Sequence, residues 1–247
     1  MGSPSAVPLR PLVGGKVPLL VKVLYTAFVG VLVPVYCKDY GPTNFLYFCD
    51  VALFLTLWTV WTEDPLPTGM AAVGIVLPQM LWVADFVAGL FGLQITGMTA
   101  YMFDAGKSPF LRGLSLFHGW LPILLLYLVY RLGYDRRSLP AWTALAWVLL
   151  LACYFLMPAP PVPADSPNLP VNINYVYGLS YAEAQHWMPP PAWLAFLVVG
   201  LPVVFFLPTH LILRAVCRQP DAQTATVSTR RYTGWHQPEA PARVRPS

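Results

Sequence analysis

Apolar residues run along this chain in long blocks, not at the three-and-four spacing of an amphipathic surface helix. Windows at 17–36, 44–62, 69–93, 112–132, 140–157 and 192–214 all lie near the roughly 20 residues that a helix needs to cross a bilayer. Most links between them are short. The pattern predicts an all-α fold, a polytopic membrane bundle of about six transmembrane helices. Residues 1–16 read as an N-terminal arm, 17–214 as the transmembrane domain and 215–247 as a polar, proline-rich tail without periodicity, expected to be disordered.

Composition strengthens this reading. Of 247 residues, 57% are hydrophobic and 11% charged, about half the charged fraction of a soluble domain. Mean hydropathy is +0.57. The net charge of +4 matters less than its distribution. With the N-terminus in the cytoplasm, that side carries Arg10, Lys16, Arg131, Arg136, Arg137 and the arginines from Arg214 onward, against Lys38, Lys107 and Arg112 outside. The positive-inside rule therefore predicts an N-in/C-in chain with a cytoplasmic arm and tail. The expected location is the cell membrane, multi-pass, and the Ala/Leu/Pro/Arg composition fits a bacterial inner membrane. The first apolar run is too long for a signal-peptide core and lacks a small-residue cleavage site. Cys37, Cys49, Cys153 and Cys217 show no CxxC or CxxH spacing, so neither a disulfide framework nor a zinc site is predicted.

The outer connection 158–191 has no lysine or arginine and many prolines, which stiffen it into extended geometry. A long constrained loop of this kind points to function.

Ionisable residues inside spans are costly and face the bundle interior or a wet cavity. Asp50, Asp85 and His118 stand out. Counting from the outer ends of their windows, all three fall roughly 9–12 Å below the outer boundary. Tyr47 precedes Asp50 by one turn, Trp82 precedes Asp85, and Ser115 and Pro122 share a face with His118. Pro122 and Pro78 are expected to kink their helices and open a polar cavity beneath the 158–191 loop.

A histidine beside a carboxylate is a general base with a fixed tautomer. The same cluster would serve as a proton relay, or as an interhelical network that fixes packing and nothing else. A metal site would want a second histidine at ligand spacing, which is lacking. No GxSxG, HExxH, P-loop or dinucleotide fingerprint is present, no cofactor is called for, and no nucleic-acid motif appears.

Three stretches, "YGPTNFLYFCDVALF", "LFHGWLPILLL" and "PVNINYVYG…WMPPPAW", resemble a bacterial integral membrane family of unknown function with an outer-loop "NY" motif. They are similar, more distantly, to the androgen-induced membrane hydrolases, which cleave fatty acid esters of hydroxy fatty acids. That resemblance implies His118 at the family histidine, Asp50 at the acidic position and Tyr47 where the family has a threonine. Thr43, Asn44 and Cys49 lie nearby.

The expected function is a lipid-active hydrolase or acyltransferase. His118 would be its base, Asp50 or Asp85 the orienting partner, and Tyr47 a hydroxyl donor or nucleophile. Asn172, Asn174 and Tyr175 would contact substrate from above, beside Trp82 and Ser115. Membrane lipid, or a lipid or small amphiphile as substrate, is the partner this implies. The alternatives are a non-enzymatic carrier or binding protein for a small amphiphile, and a structural membrane protein.

Overall fold

The computed structural model describes residues 16–93, 95–166 and 168–219. Nearly all of the arm at 1–16 and of the tail at 215–247 lies outside them. Six helices form the bundle: α1 (Leu19–Asp39), α2 (Phe48–Thr62), α3 (Pro65–Leu90), α4 (Pro109–Leu132), α5 (Ser138–Leu156) and α6 (Pro190–Val216). All but α2 are long and apolar enough to cross a membrane, and the described residues contain no strand. The chain is an all-α polytopic membrane protein. The face that charge assigns to the outside carries the connections 40–47, 91–108 and 157–189.

Helix α3 is the hub and packs against α2, α4, α5 and α6. Lipid gives helices no hydrophobic reason to associate, so close approach depends on small residues. Gly69, Ala71, Ala72 and Gly74 supply it. A methyl group at Gly69 would overlap Ser138, and one at Gly74 would overlap the Trp142 ring. Helix α1 turns one stripe inward (Tyr25, Val29, Leu32, Tyr36) and leaves Leu19, Leu20, Val23 and Leu24 on the lipid side.

The α2–α3 corner follows from its sequence. Glu63 ends α2 in the left-handed region (φ 56°). Asp64 then caps α3 by accepting from the Leu66 N–H at 2.9 Å, with Pro65 at the first helical position. The Glu63 carboxylate binds Lys22 Nζ at 2.9 Å and accepts from the Lys16 amide at 2.8 Å, which ties the start of α1 to this corner.

Two features depart from the sequence reading. The apolar window 44–62 is not one helix. After Gly41 (φ 81°) the chain makes a 3₁₀ turn, Pro42–Leu46, and Tyr47 is extended (φ −62°, ψ 140°), so α2 begins only at Phe48. Its 15 residues span about 22 Å, short of the ~30 Å hydrocarbon core. The second concerns interruptions outside the sequence reading: α4 breaks between Ser115 and Phe117, and α6 carries a π-turn at Pro202–Phe206. Pro78 and Pro122 lie inside continuous helix.

Candidate functional site at the outer face

The 3₁₀ turn and the extended Tyr47 ahead of α2 leave backbone polar groups in need of partners. Here Asn174 supplies them. Its Oδ1 accepts the Phe48 N–H at 3.0 Å, and its Nδ2 donates to the Leu46 carbonyl at 2.9 Å and to Cys153 Sγ at 3.5 Å. Asn172 does the same within the loop, donating to the carbonyls of Gly178 and Ser180 and accepting from the Tyr177 N–H at 2.8 Å. Asn172, Asn174 and Tyr175 all have positive φ (51°, 56° and 61°), a region that asparagine tolerates better than most residues. Both side-chain amides have committed both their donors to protein, and their work here is to fold the loop onto the broken start of α2. The Tyr175 carbonyl accepts from Trp193 Nε1 at 2.8 Å, which clamps the loop to α6.

Asp50 lies in the first turn of α2, where the free N–H end of a helix favours a carboxylate. It is 2% exposed. Asn44 Nδ2 donates to Oδ2 at 3.1 Å, while Oδ1 is buried without a protein partner. Cys49, beside it, is half-buried and unpaired, as is the exposed Cys37.

His118 sits just past the interruption in α4. Its Nδ1 is 2.7 Å from the Ser115 carbonyl. A carbonyl only accepts, so Nδ1 carries the proton and Nε2 presents its lone pair. The ring is sandwiched between Trp82 (centroids 4.9 Å apart) and Phe117 (4.0 Å). Ser115 Oγ meets the Tyr36 hydroxyl at 2.9 Å. Tyr101, from the 91–108 connection, directs its hydroxyl towards Ser115 and Trp82. Burial pushes the Tyr101 and Tyr175 phenols well above their ordinary range, so both remain neutral hydrogen-bond donors. Tyr47 caps α2 and reaches Tyr181. Tyr36, Tyr47 and Tyr101 thus belong to the region that holds Asp50 and Ser115.

Asp85 has a different occupation from the one expected. Oδ1 accepts the N–H groups of Ile95, Thr96 and Gly97 at 3.0, 2.7 and 3.2 Å. Oδ2 accepts the amide and hydroxyl of Thr99 at 2.9 and 2.7 Å. The carboxylate is saturated by the connection that follows its own helix. Nor does a carboxylate orient His118. Among the described residues no ion pair to His118 is formed, and the Ser115 carbonyl sets the ring instead.

The structure thus brings His118, Trp82 and Ser115 into contact and gives Asp50 a free oxygen in the same outer-face region. It commits Asp85, Asn172 and Asn174 to the backbone. Tyr36 and Tyr101 were not singled out in the sequence. Tyr36 is legible in retrospect as the last residue of the α1 stripe, whereas nothing local marks Tyr101. At the opposite face, the Tyr134 hydroxyl meets His210 Nδ1 at 2.6 Å, a buried packing contact. Among the described residues no group of three His, Cys, Asp or Glu is placed to hold a metal ion.

The chain matches no family model, and no significant match was found among curated proteins or among solved structures.

Proposed function

We propose that the outer-face site acts on acyl esters of membrane lipids, as a hydrolase when water attacks and an acyltransferase when a second alcohol does. The observation that carries this reading is His118, with Nδ1 held by the Ser115 carbonyl, Nε2 open and the ring fixed between Trp82 and Phe117. It lies about 13 Å along α4 from Pro109, at a depth that a lipid ester reaches. The motif resemblance assigns the same histidine.

In the reaction, Nε2 takes the proton of the attacking O–H as that oxygen bonds to the ester carbonyl carbon. The tetrahedral intermediate then collapses, the ester C–O bond breaks, and the imidazolium returns the proton to the departing alkoxide. The Tyr47 hydroxyl and the unpartnered, buried oxygen of the Asp50 carboxyl are the further polar groups assigned to the substrate in this proposal. Asn172, Asn174 and Asp85 act indirectly, by holding the backbone that frames the site.

A second reading, a binding protein for a small amphiphile, is favoured by Gln79. Both polar atoms of its side chain are buried without a partner, one turn below Trp82 on α3. Transport through the bundle has less support, because Leu121, Leu125 and Leu128 close its inner half.

The test incubates purified protein and His118→Ala with a mixed lipid extract, and mass spectrometry follows released fatty acids and newly acylated species. Turnover that disappears in a folded variant supports the enzyme. Untouched lipids with wild type, together with stoichiometric retention of one amphiphile, support the binding protein instead.

A further inference from the structure

A shallow groove of about 310 Å³ runs down the lipid-facing side between α3 and α4, lined by Phe86, Leu90, Phe103, Arg112, Gly113 and Leu116 among others. Its walls are apolar with one exception, Arg112. The guanidinium donates from Nη1 to the Met102 carbonyl at 3.1 Å. Its Nε is buried and has no partner. Among the described residues no acidic side chain pairs with it. A guanidinium is charged at any working pH, and a partly buried cation without a counter-charge is costly. A second cation of this region, Lys107, is directed away, onto Asn168 Oδ1 and the Tyr40 ring.

We infer that this groove is a binding site for an anionic phospholipid, with the phosphate on Arg112 and one acyl chain laid along Phe86, Leu90, Phe103 and Leu116. Guanidinium and phosphate match in fork geometry and charge. Arg112 lies in the first turns of α4, at the level of lipid headgroups, and the apolar walls continue from there into the hydrocarbon. A protein partner would need more polar contacts than this surface offers, whereas a lipid needs one anion site above an apolar track. The site is separate from the His118 chemistry, although Phe86 stacks on Trp82 and Trp82 stacks on His118, so an occupied groove would border that ring.

The experiment uses the purified full-length chain in detergent and native mass spectrometry, titrating phosphatidylglycerol against diacylglycerol of the same chains. Wild type retains one phosphatidylglycerol tightly and little diacylglycerol. Arg112→Gln weakens phosphatidylglycerol binding roughly tenfold or more, the scale of a charge-assisted hydrogen bond. Gly113→Leu provides an independent check. A Cβ there meets nothing within 4 Å, so a leucine fills the groove without disturbing the core, and binding falls while the melting temperature holds. Equal retention of both lipids by wild type, or unchanged phosphatidylglycerol affinity in folded Arg112→Gln and Gly113→Leu, would overturn the assignment.

Discussion

Asp85→Ala separates the two occupations open to this residue, catalysis and architecture. In the structure its carboxylate accepts five hydrogen bonds from residues 95–99. Ile95 and Thr96 are exposed, and water replaces the carboxylate there at little cost. Thr99 is 2% exposed, so its amide and hydroxyl would be left buried and unpaired, at about 1–3 kcal/mol each. Allowing for partial opening of the loop to water, the loss comes to about 3 kcal/mol, or roughly 6–12 °C in melting temperature for a chain of this size. Asp85→Asn keeps the shape but loses one acceptor, so its loss should be about half as large. Thermal melting in detergent gives the magnitude, and amide hydrogen exchange gives the location, with faster exchange confined to residues 95–99. Lipid turnover, measured below the melting point, should persist. A variant that melts like wild type with unchanged exchange would refute the structural argument. A stable but inactive Asp85→Asn would return the residue to the chemistry.

Three further outcomes follow from named contacts. Asn174→Leu removes the acceptor of the Phe48 amide and the donor to the Leu46 carbonyl; it should cost about 2–4 kcal/mol and speed hydrogen exchange at Phe48. Gly74→Ala drives a methyl group into the Trp142 ring and should cost about 1–3 kcal/mol in a melting assay, while Gly30→Ala, whose Cβ meets nothing, should cost none. Burial alone would raise the Glu63 carboxyl, but Lys22 and the amides of Lys16 and Val17 outweigh it and hold the group below its ordinary value of 4.5. A carboxylate lowered on folding stabilises above its unfolded value and loses that contribution as pH falls through the folded one. Wild type should therefore exceed Glu63→Gln by ~1 kcal/mol or less at neutral pH, and the two melting temperatures should converge well below pH 4.5.

Much of the bundle was legible because hydropathy is a one-dimensional signal. A window of twenty apolar residues has few alternatives to spanning lipid, and five of the six windows hold such helices. The sixth shows where that signal stops. Residues 44–62 are apolar enough throughout, yet whether the helix starts at Asn44 or Phe48 depends on Asn174, which satisfies the Phe48 amide from 126 positions away. The candidate site was only partly legible, because a count along a helix says nothing of how the connections fold back on it. Counting along helices places Asp50, Asp85 and His118 at one level. It does not reveal that residues 95–99 fold back and saturate Asp85. His118 and Trp82 were both singled out, and their stacking joins two helices that the sequence could only place side by side. The asparagines of "NINY" read as ligand contacts because polar residues in an outer loop suggest recognition. Their positive φ angles and committed amides show instead how the loop is folded.

Whether His118 is the base of a lipid acyl reaction is measured most directly by the initial rate of acyl-ester cleavage, counted as fatty acid released plus newly acylated product, from an acyl-ester lipid extract by wild type and His118→Gln. Both proteins should be confirmed to have the same melting temperature before the rates are compared. Wild type should cleave the ester steadily and the variant about 10²-fold or more slowly, with no acyl adduct on Cys49 or Tyr47 in the intact protein mass. Equal rates in the two proteins, or neither free fatty acid nor newly acylated product from either, would contradict that role.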